Sequence, residues 1–254
     1  MRLLLESQDC YRNMAEDEAL IKTKSEPTLR LYTWKPSAVS IGYFQSIKDE
    51  VDVNFCRKNG IDIVRRNTGG GAVFHDEKGE LTYSLMYPLS EWNKLAESIG
   101  RDGNNIMETY RIVCNCLIIG LEKLGIEADF KPINDIETSG KKISGSAQTR
   151  REGYLLQHGT LLYSLNTKKM FRVLKVSDEK IRDKKIASAK ERVTSITLQL
   201  GKVSFKSVVG AMILGFETGL KEKVKIGKLK KEEEEMLEKL AKEKYGCEWW
   251  NNQR

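Results

Sequence analysis

The chain predicts an α+β fold built on a mixed β-sheet. Runs rich in β-branched and aromatic residues, bounded by Gly, Pro and charged turns, dominate the middle of the chain. Longer stretches with apolar residues three and four apart flank them. Strands in the middle with helices around them make a sheet covered by helices in one domain.

The elements follow in order. Residues 12–24 read as an amphipathic helix with Met14, Ala15, Ala19, Leu20 and Ile21 near one face. Leu29–Trp34 and Ala38–Phe44 are strands joined around Lys35-Pro36-Ser37, where proline favours a turn. Ile61–Val64, Ala72–Phe74 and Leu81–Tyr87 continue the strand series. Residues 104–124 form the longest helical pattern of the first half, with Val113, Leu117 and Leu121 on its apolar side and Gly125 at the C-terminal cap. Strands return at Glu127–Phe130, Lys142–Ser144 and Tyr154–Leu165, the last broken at His158-Gly159. Helices follow at about 167–175 and 205–220. A charged helix, Lys228–Tyr245, is expected to be solvated and packed by Met236, Leu237 and Leu240. With no internal repeat and no low-complexity linker, 1–254 reads as a single domain.

Composition narrows the function classes. No apolar run approaches the roughly 18–20 residues of a transmembrane helix, and the start, Met1 to Ser7, is too short and too soon acidic for a signal peptide. A cytoplasmic location with no membrane partner is the expectation. The five cysteines, Cys10, Cys56, Cys114, Cys116 and Cys247, form no CxxC pair. The two histidines are far apart, so neither zinc nor a disulfide framework is expected. The net charge of +7 suits an acidic protein or a phosphate-bearing substrate. Nucleic acid ranks below both, because no basic platform with interleaved aromatics appears.

Two segments carry the chemistry. In Arg65-Arg66-Asn67-Thr68-Gly69-Gly70-Gly71-Ala72-Val73-Phe74-His75-Asp76, three glycines interrupt strand-forming sequence. Glycine weakens a strand, so bare backbone at this point suggests close approach of a phosphate or carboxylate to exposed N–H groups. The two arginines offer forked donors to the same group. A flexible turn with solvated arginines stays open as the plain alternative. The second segment runs from Asn134-Asp135 to Lys142-Ile143-Ser144-Gly145-Ser146-Ala147. Its small residues leave an open surface, Lys142 supplies a point charge for a developing oxyanion, and Asp135 could hold Mg²⁺. A hairpin with exposed lysines is the alternative there. Neither a Walker loop nor a strand–GxGxxG–helix unit is present.

The first segment resembles the signature of the lipoate–protein ligase A family. Val39–Gln45 with Ile41-Gly42, Asn134-Asp135, Lys142 to Ala147, His158-Gly159-Thr160-Leu161-Leu162 and Arg192-Val193-Thr194 fall in that family's order. The resemblance runs from about residue 3 to Asn251. It implies the class II synthetase-like fold of the biotinyl and lipoyl ligases, a mixed, largely antiparallel sheet flanked by helices. It also implies a two-step reaction: lipoate and MgATP give lipoyl-AMP, and a lysine of an acceptor protein then takes the lipoyl group. On that pattern Lys142 is the central catalytic lysine. Arg65, Gly70, Gly71, Ala72, Val73, Asn134 and Asp135 map to nucleotide or adenylate contacts, Asp135 being the Mg²⁺ ligand. Gly69, His75, Gly145, Ser146, Ala147 and His158 fall around the acyl pocket. His75 reads equally as a hydrogen-bonded core histidine. The implied partners are apo lipoyl domains of 2-oxoacid dehydrogenase E2 subunits and the glycine cleavage H protein. A separate small accessory subunit, as in two-subunit ligases, is a further implied partner.

The same superfamily contains octanoyl and lipoyl transferases that use a cysteine nucleophile and no ATP. A thioester route needs an activated thiolate near the lysine, and no cysteine lies between Cys116 and Cys247. The expectation is therefore an ATP-dependent ligase, with the transferase as its rival. A non-catalytic lipoyl-binding protein is the third reading, disfavoured by the intact Lys142 and Asp135.

Overall fold

In the computed structural model, which describes residues 1–175 and 191–254, strand β1 (Arg2–Gln8) lies parallel to β2 (Thr28–Trp34). Helix α1 (Cys10–Lys22) makes the crossover between them. Asp9 caps α1, its carboxylate accepting from the backbone N–H groups of Tyr11 and Arg12 at 2.9 Å each. The sheet then continues antiparallel through β6 (Glu80–Pro88), β10 (Tyr154–Leu162), β9 (Lys141–Arg151), β8 (Asp135–Thr138) and β7 (Asp129–Lys131). The short β11 (Lys225–Ile226) pairs parallel to β1 and completes eight strands in the order β11-β1-β2-β6-β10-β9-β8-β7. A second sheet, β4-β3-β5, consists of β3 (Ala38–Ile41), β4 (Asp62–Arg65) and β5 (Val73–His75).

Strand alternation decides which helices cover which face. Leu29 and Leu31 of β2 face one way, into a core with Tyr83 and Leu85 of β6. That core is closed by α5 (Ile106–Lys123) and α8 (Phe205–Leu220) through Val113, Leu117, Met212 and Phe216. These two helices approach closely because glycine faces glycine. A Cβ on Gly120 would meet Met212 Cε at 2.5 Å, and one on Gly215 would collide with the Cys116 carbonyl. Tyr32 and Trp34 of β2 face the other way, into a cluster with Cys10 and Met14 of α1 and with Leu237, Tyr245 and Trp250 from the C-terminal helices. Those helices are α9 (Lys231–Leu240), extended by a π-helical turn over Ala241–Tyr245, and α10 (Glu248–Asn251). The remaining helices are short: α2 (Ile47–Glu50), α3 (Val53–Lys58), α4 (Leu89–Ser98), α6 (Thr167–Val173) and α7 (Ile196–Leu200). Among the described residues, no helix is long and apolar enough to cross a membrane.

The mixed, mostly antiparallel sheet flanked by helices is the one expected, with differences in detail. β1, β8, β11 and the short helices α2, α3, α4, α7 and α10 are added, and Ala38–Phe44 stops as a strand at Ile41. β9 runs on to Arg151, whereas the sequence pattern stops at Ser144. β10 passes unbroken through His158-Gly159 and ends at Leu162. Gly159 is needed inside that strand: a Cβ there would lie 2.6 Å from the Gly145 carbonyl oxygen and 2.8 Å from the Tyr83 ring. The C-terminal helix is less solvated than its charge suggests. Glu233 is buried, and its carboxylate accepts both Arg2 Nη atoms at 2.8 Å.

Candidate active site

The site lies on the α1 face of the large sheet, under the small sheet. The central strands contribute Glu80 and Thr82 of β6 and His158 and Thr160 of β10, which alternate on one face, together with Lys142, Gly145 and Ala147 of β9. The small sheet contributes Ser40 and the stretch Gly70–His75, while Met14, Tyr32 and Trp34 form the wall beneath α1. These residues enclose about 330 Å³, at the small end of the roughly 300–1,000 Å³ typical of small-molecule pockets.

Arg66 holds the glycine loop in place. Its Nη2 donates to the carbonyls of Gly69 (2.8 Å) and Gly71 (2.7 Å). Burial alone pulls its pKa down to about 10, so it remains cationic at neutral pH. Gly70 has φ +95°, a conformation that only glycine adopts without strain. A Cβ on Gly42, at the end of β3, would collide with the Gly70 carbonyl, so the loop packs directly on bare backbone.

Two hydrogen-bond chains run from Arg66 through a hydroxyl and a histidine to an acid. In one, Arg66 Nη1 donates to Ser40 Oγ (3.1 Å), Ser40 lies 2.8 Å from His75 Nε2, and His75 Nδ1 lies 2.6 Å from Glu80 Oε1. In the other, Arg66 Nε donates to Thr68 Oγ1 (3.2 Å), Thr68 lies 2.7 Å from His158 Nε2, and His158 Nδ1 lies 3.1 Å from Asp17 Oδ2. The carboxylates call for the proton on Nδ1 of each ring, which leaves Nε2 of a neutral ring to accept from the hydroxyl. His75 also stacks on Trp34, 3.7 Å between centroids. Both histidines line the cavity and both are tied into the framework.

Lys142 and Asp135 form an ion pair of 2.6 Å, the lysine 41 % and the acid 28 % exposed. They lie across Gly145, where a Cβ would fall 2.7 Å from the Lys142 ammonium. Asn134 braces the turn beside them, its backbone carbonyl accepting from Ser146 N at 2.9 Å. The 193–194 segment closes on Lys142 as well, with Thr194 N donating to the Lys142 carbonyl at 2.8 Å.

Of the expected site residues, Lys142, Asn134, Gly70, Gly71, Ala72, Val73, His75, Gly145, Ser146, Ala147 and His158 line the one cavity. Asp135 stands behind it as the partner of Lys142. Gly69 is outside the lining and serves through its carbonyl. Arg65 is also outside it. The guanidinium is fully buried and bonds to the carbonyls of Gly42, Tyr43, Gln45, Trp250 and Asn251. Arg66 is the arginine at the cavity, and Ser40, Trp34, Glu80 and Thr82 join it unannounced by the sequence reading. No cysteine lines the cavity among the described residues. Cys114, behind Ser146 at 3.9 Å, is fully buried, and burial pushes its thiol up to about 12.

Comparison with known proteins bears on what this arrangement does. Residues 9–217 match the lipoyl protein ligase A/B catalytic domain. The chain is 34% identical to octanoyltransferase LipM of Symbiobacterium thermophilum over 94% of this chain and 93% of that one. It is 33% identical to octanoyltransferase LipM of Bacillus subtilis, over 95% and 94%. A solved structure of a bi-partite lipoate protein ligase from Thermoplasma acidophilum superposes with a TM-score of 0.87 at 34% identity, covering 98% of this chain and 94% of that one.

The near-full-length likeness to octanoyltransferases overturns the ATP-dependent ligase expectation, and with it ATP, Mg²⁺ and lipoyl-AMP. The misreading has a physical source. A glycine loop and a cavity lysine suit acyl-group transfer whether the donor is an adenylate or a thioester, so those motifs do not separate the two branches. Asp135, expected on Mg²⁺, is engaged by Lys142. Among the described residues, no group of three or more His, Cys, Asp or Glu is placed to hold a metal.

Proposed function

The chain belongs to the lipoyl protein ligase A/B catalytic domain family, and we propose that it is an octanoyltransferase within it. It moves an octanoyl group from a carrier-protein thioester to a lysine of a lipoyl domain, without nucleotide. The observation that carries this reading is the likeness to octanoyltransferases over nearly the whole chain. The cavity fits it, being small and walled by Met14, Trp34, Phe74, Leu162 and Met170. We read 1–254 as one catalytic unit, because the C-terminal helices pack directly on α1 and Trp34.

The chemistry runs on an amine and a thioester. The neutral amine of the acceptor lysine attacks the thioester carbonyl, forming the C–N bond. The tetrahedral intermediate collapses by breaking the C–S bond, and the amine's proton ends on the departing carrier thiol. A thioester is already activated, so no second energy source enters. Lys142, held at its mark by Asp135 and Gly145, supports the oxyanion. Direct aminolysis dispenses with the cysteine thiolate expected of a thioester route, in keeping with a cavity that no cysteine lines among the described residues.

Mixing the protein with an octanoylated carrier protein and an apo lipoyl domain tests this by acceptor mass. Octanoylation of the acceptor lysine without nucleotide is expected, and Lys142→Ala should lower kcat about 10²–10³-fold, the typical loss for one oxyanion donor. Modification only when ATP is supplied, or an undiminished rate in Lys142→Ala, would overturn the reading.

A further inference from the structure

One wall of the acyl cavity is charged on its outer side. Helix α6 turns Met170 into the cavity, and Leu174 just beyond it lines the cavity too. Val173 is fully buried with Val39, Ile41 and Phe74 of the small sheet. The exposed side of the helix carries Lys168 and Arg172, spaced i, i+4, and Lys175, also exposed, follows beyond the helix end. Lys169 lies beside them with its ammonium 5.4 Å over the Phe74 ring. From Tyr163 to Lys175 the chain has four cations and no acid.

Among the described residues, none of these four forms an ion pair with a carboxylate. Arg172 rests 5.6 Å over the Phe55 ring, and Lys175 donates to the Lys48 carbonyl. Asp49 and Glu50 are near, since Lys175 N donates to the Glu50 carbonyl at 2.7 Å, yet neither carboxylate pairs with the stripe. Like charges one turn apart disfavour a helix. Among the described residues no carboxylate answers the stripe, and an anionic partner would.

We propose that this stripe is the docking face for the acyl donor, an acidic carrier protein that presents its acyl group on a phosphodiester-linked thiol arm. The inference rests on the transferase reading and names the donor's contact surface. A carrier seated on the outer side of α6 sets the root of its arm beside the wall that Met170 and Leu174 form from within. The charges steer the encounter, and the arm carries the acyl group past the helix.

The test compares two donors on one variant. Lys168→Glu, Arg172→Glu and Lys175→Glu are combined, and a charge-neutral version with glutamine at the same three positions guards against misfolding. One donor is the octanoylated carrier protein; the other is the octanoyl thioester of N-acetylcysteamine, which has no carrier. With the carrier donor, KM should rise about ten-fold or more and lose its salt dependence. Calorimetry should show the matching loss of carrier binding, while kcat/KM for the small thioester stays unchanged. Equal losses with both donors, no loss with the carrier, or a rise confined to the KM of the acceptor domain would each overturn the docking proposal. A wild-type protein that transfers from neither donor would instead overturn the transferase reading beneath it.

Discussion

Arg30 is one guanidinium among three carboxylates. Its Nε lies 2.9 Å from Glu16 and 3.1 Å from Glu6, and its Nη1 bonds Asp17. Burial disfavours the ionised form of Asp17, but Arg30 and His158 outweigh it and hold that acid below its ordinary value. One cation does not serve a third buried anion equally well. Burial, and then the charge of Glu6, push Glu16 up to about 8 against the pull of Arg30. The folded protein thus keeps a proton on Glu16 that the unfolded chain releases near pH 4.5. The associated stability is complete below that value and is lost as pH rises through about 8. Relative to E16Q, wild-type stability should fall by roughly 1 kcal/mol per pH unit between pH 6 and 8. Urea unfolding at three pH values measures it, and equal slopes for the two proteins would show that Glu16 is not the titrating group.

At the scale of elements, the cavity depends on how closely β3 meets the glycine loop. Gly42→Ala places a methyl group against the Gly70 carbonyl, which the Arg66 bonds to Gly69 and Gly71 prevent from moving freely. The loop must shift, raising KM for the acyl donor roughly ten-fold, or about 1.4 kcal/mol. Gly69→Ala is the control, because Gly69 lies outside the cavity lining and a Cβ there meets nothing within 4 Å. Similar KM values for the two variants would mean that the close contact does not set the pocket. The glycines themselves were legible in the sequence as strand-weakening residues that needed a reason. Their partners were not, since Gly42 and Gly70 meet through tertiary packing. The same limit explains Gly159, where a break was expected and a close crossing of strands was found. It also explains Arg65 and Arg66: neighbouring side chains at a strand end point opposite ways, and only the register in the sheet decides which one faces the cavity. The helix α4 has its apolar spacing in Leu89, Trp92 and Ala96, yet so short a pattern does not stand out until the sheet supplies a surface to cover.

Over the whole molecule, Arg65 joins the two ends of the sequence pattern. Its guanidinium bonds carbonyls after β3 and carbonyls of Trp250 and Asn251 in α10, while Trp250 Nε1 donates back to the Arg65 carbonyl at 2.8 Å. Asn251 Oδ1 accepts from Arg65 N, also at 2.8 Å. Lys244 adds a salt bridge of 2.6 Å to Glu18 of α1 and lies 3.9 Å over the Trp250 ring. The C-terminal helices therefore brace the strand that leads into the glycine loop, though they contribute no side chain to the cavity lining. Arg65→Lys tests this brace, because a lysine offers three donors from one point and cannot span five carbonyls held in a fork-shaped array. Buried carbonyls left without donors should cost about 3 kcal/mol, which for a domain of this size lowers Tm by roughly 6–12 °C. Activity at a temperature where the variant is still folded should fall through KM more than kcat, since the loop shifts while Lys142 keeps its Asp135 partner. An Arg65→Lys protein that melts within a degree of wild type would show that the C-terminal brace is dispensable. A fall in kcat alone would place Arg65 in the chemistry and not in the framework.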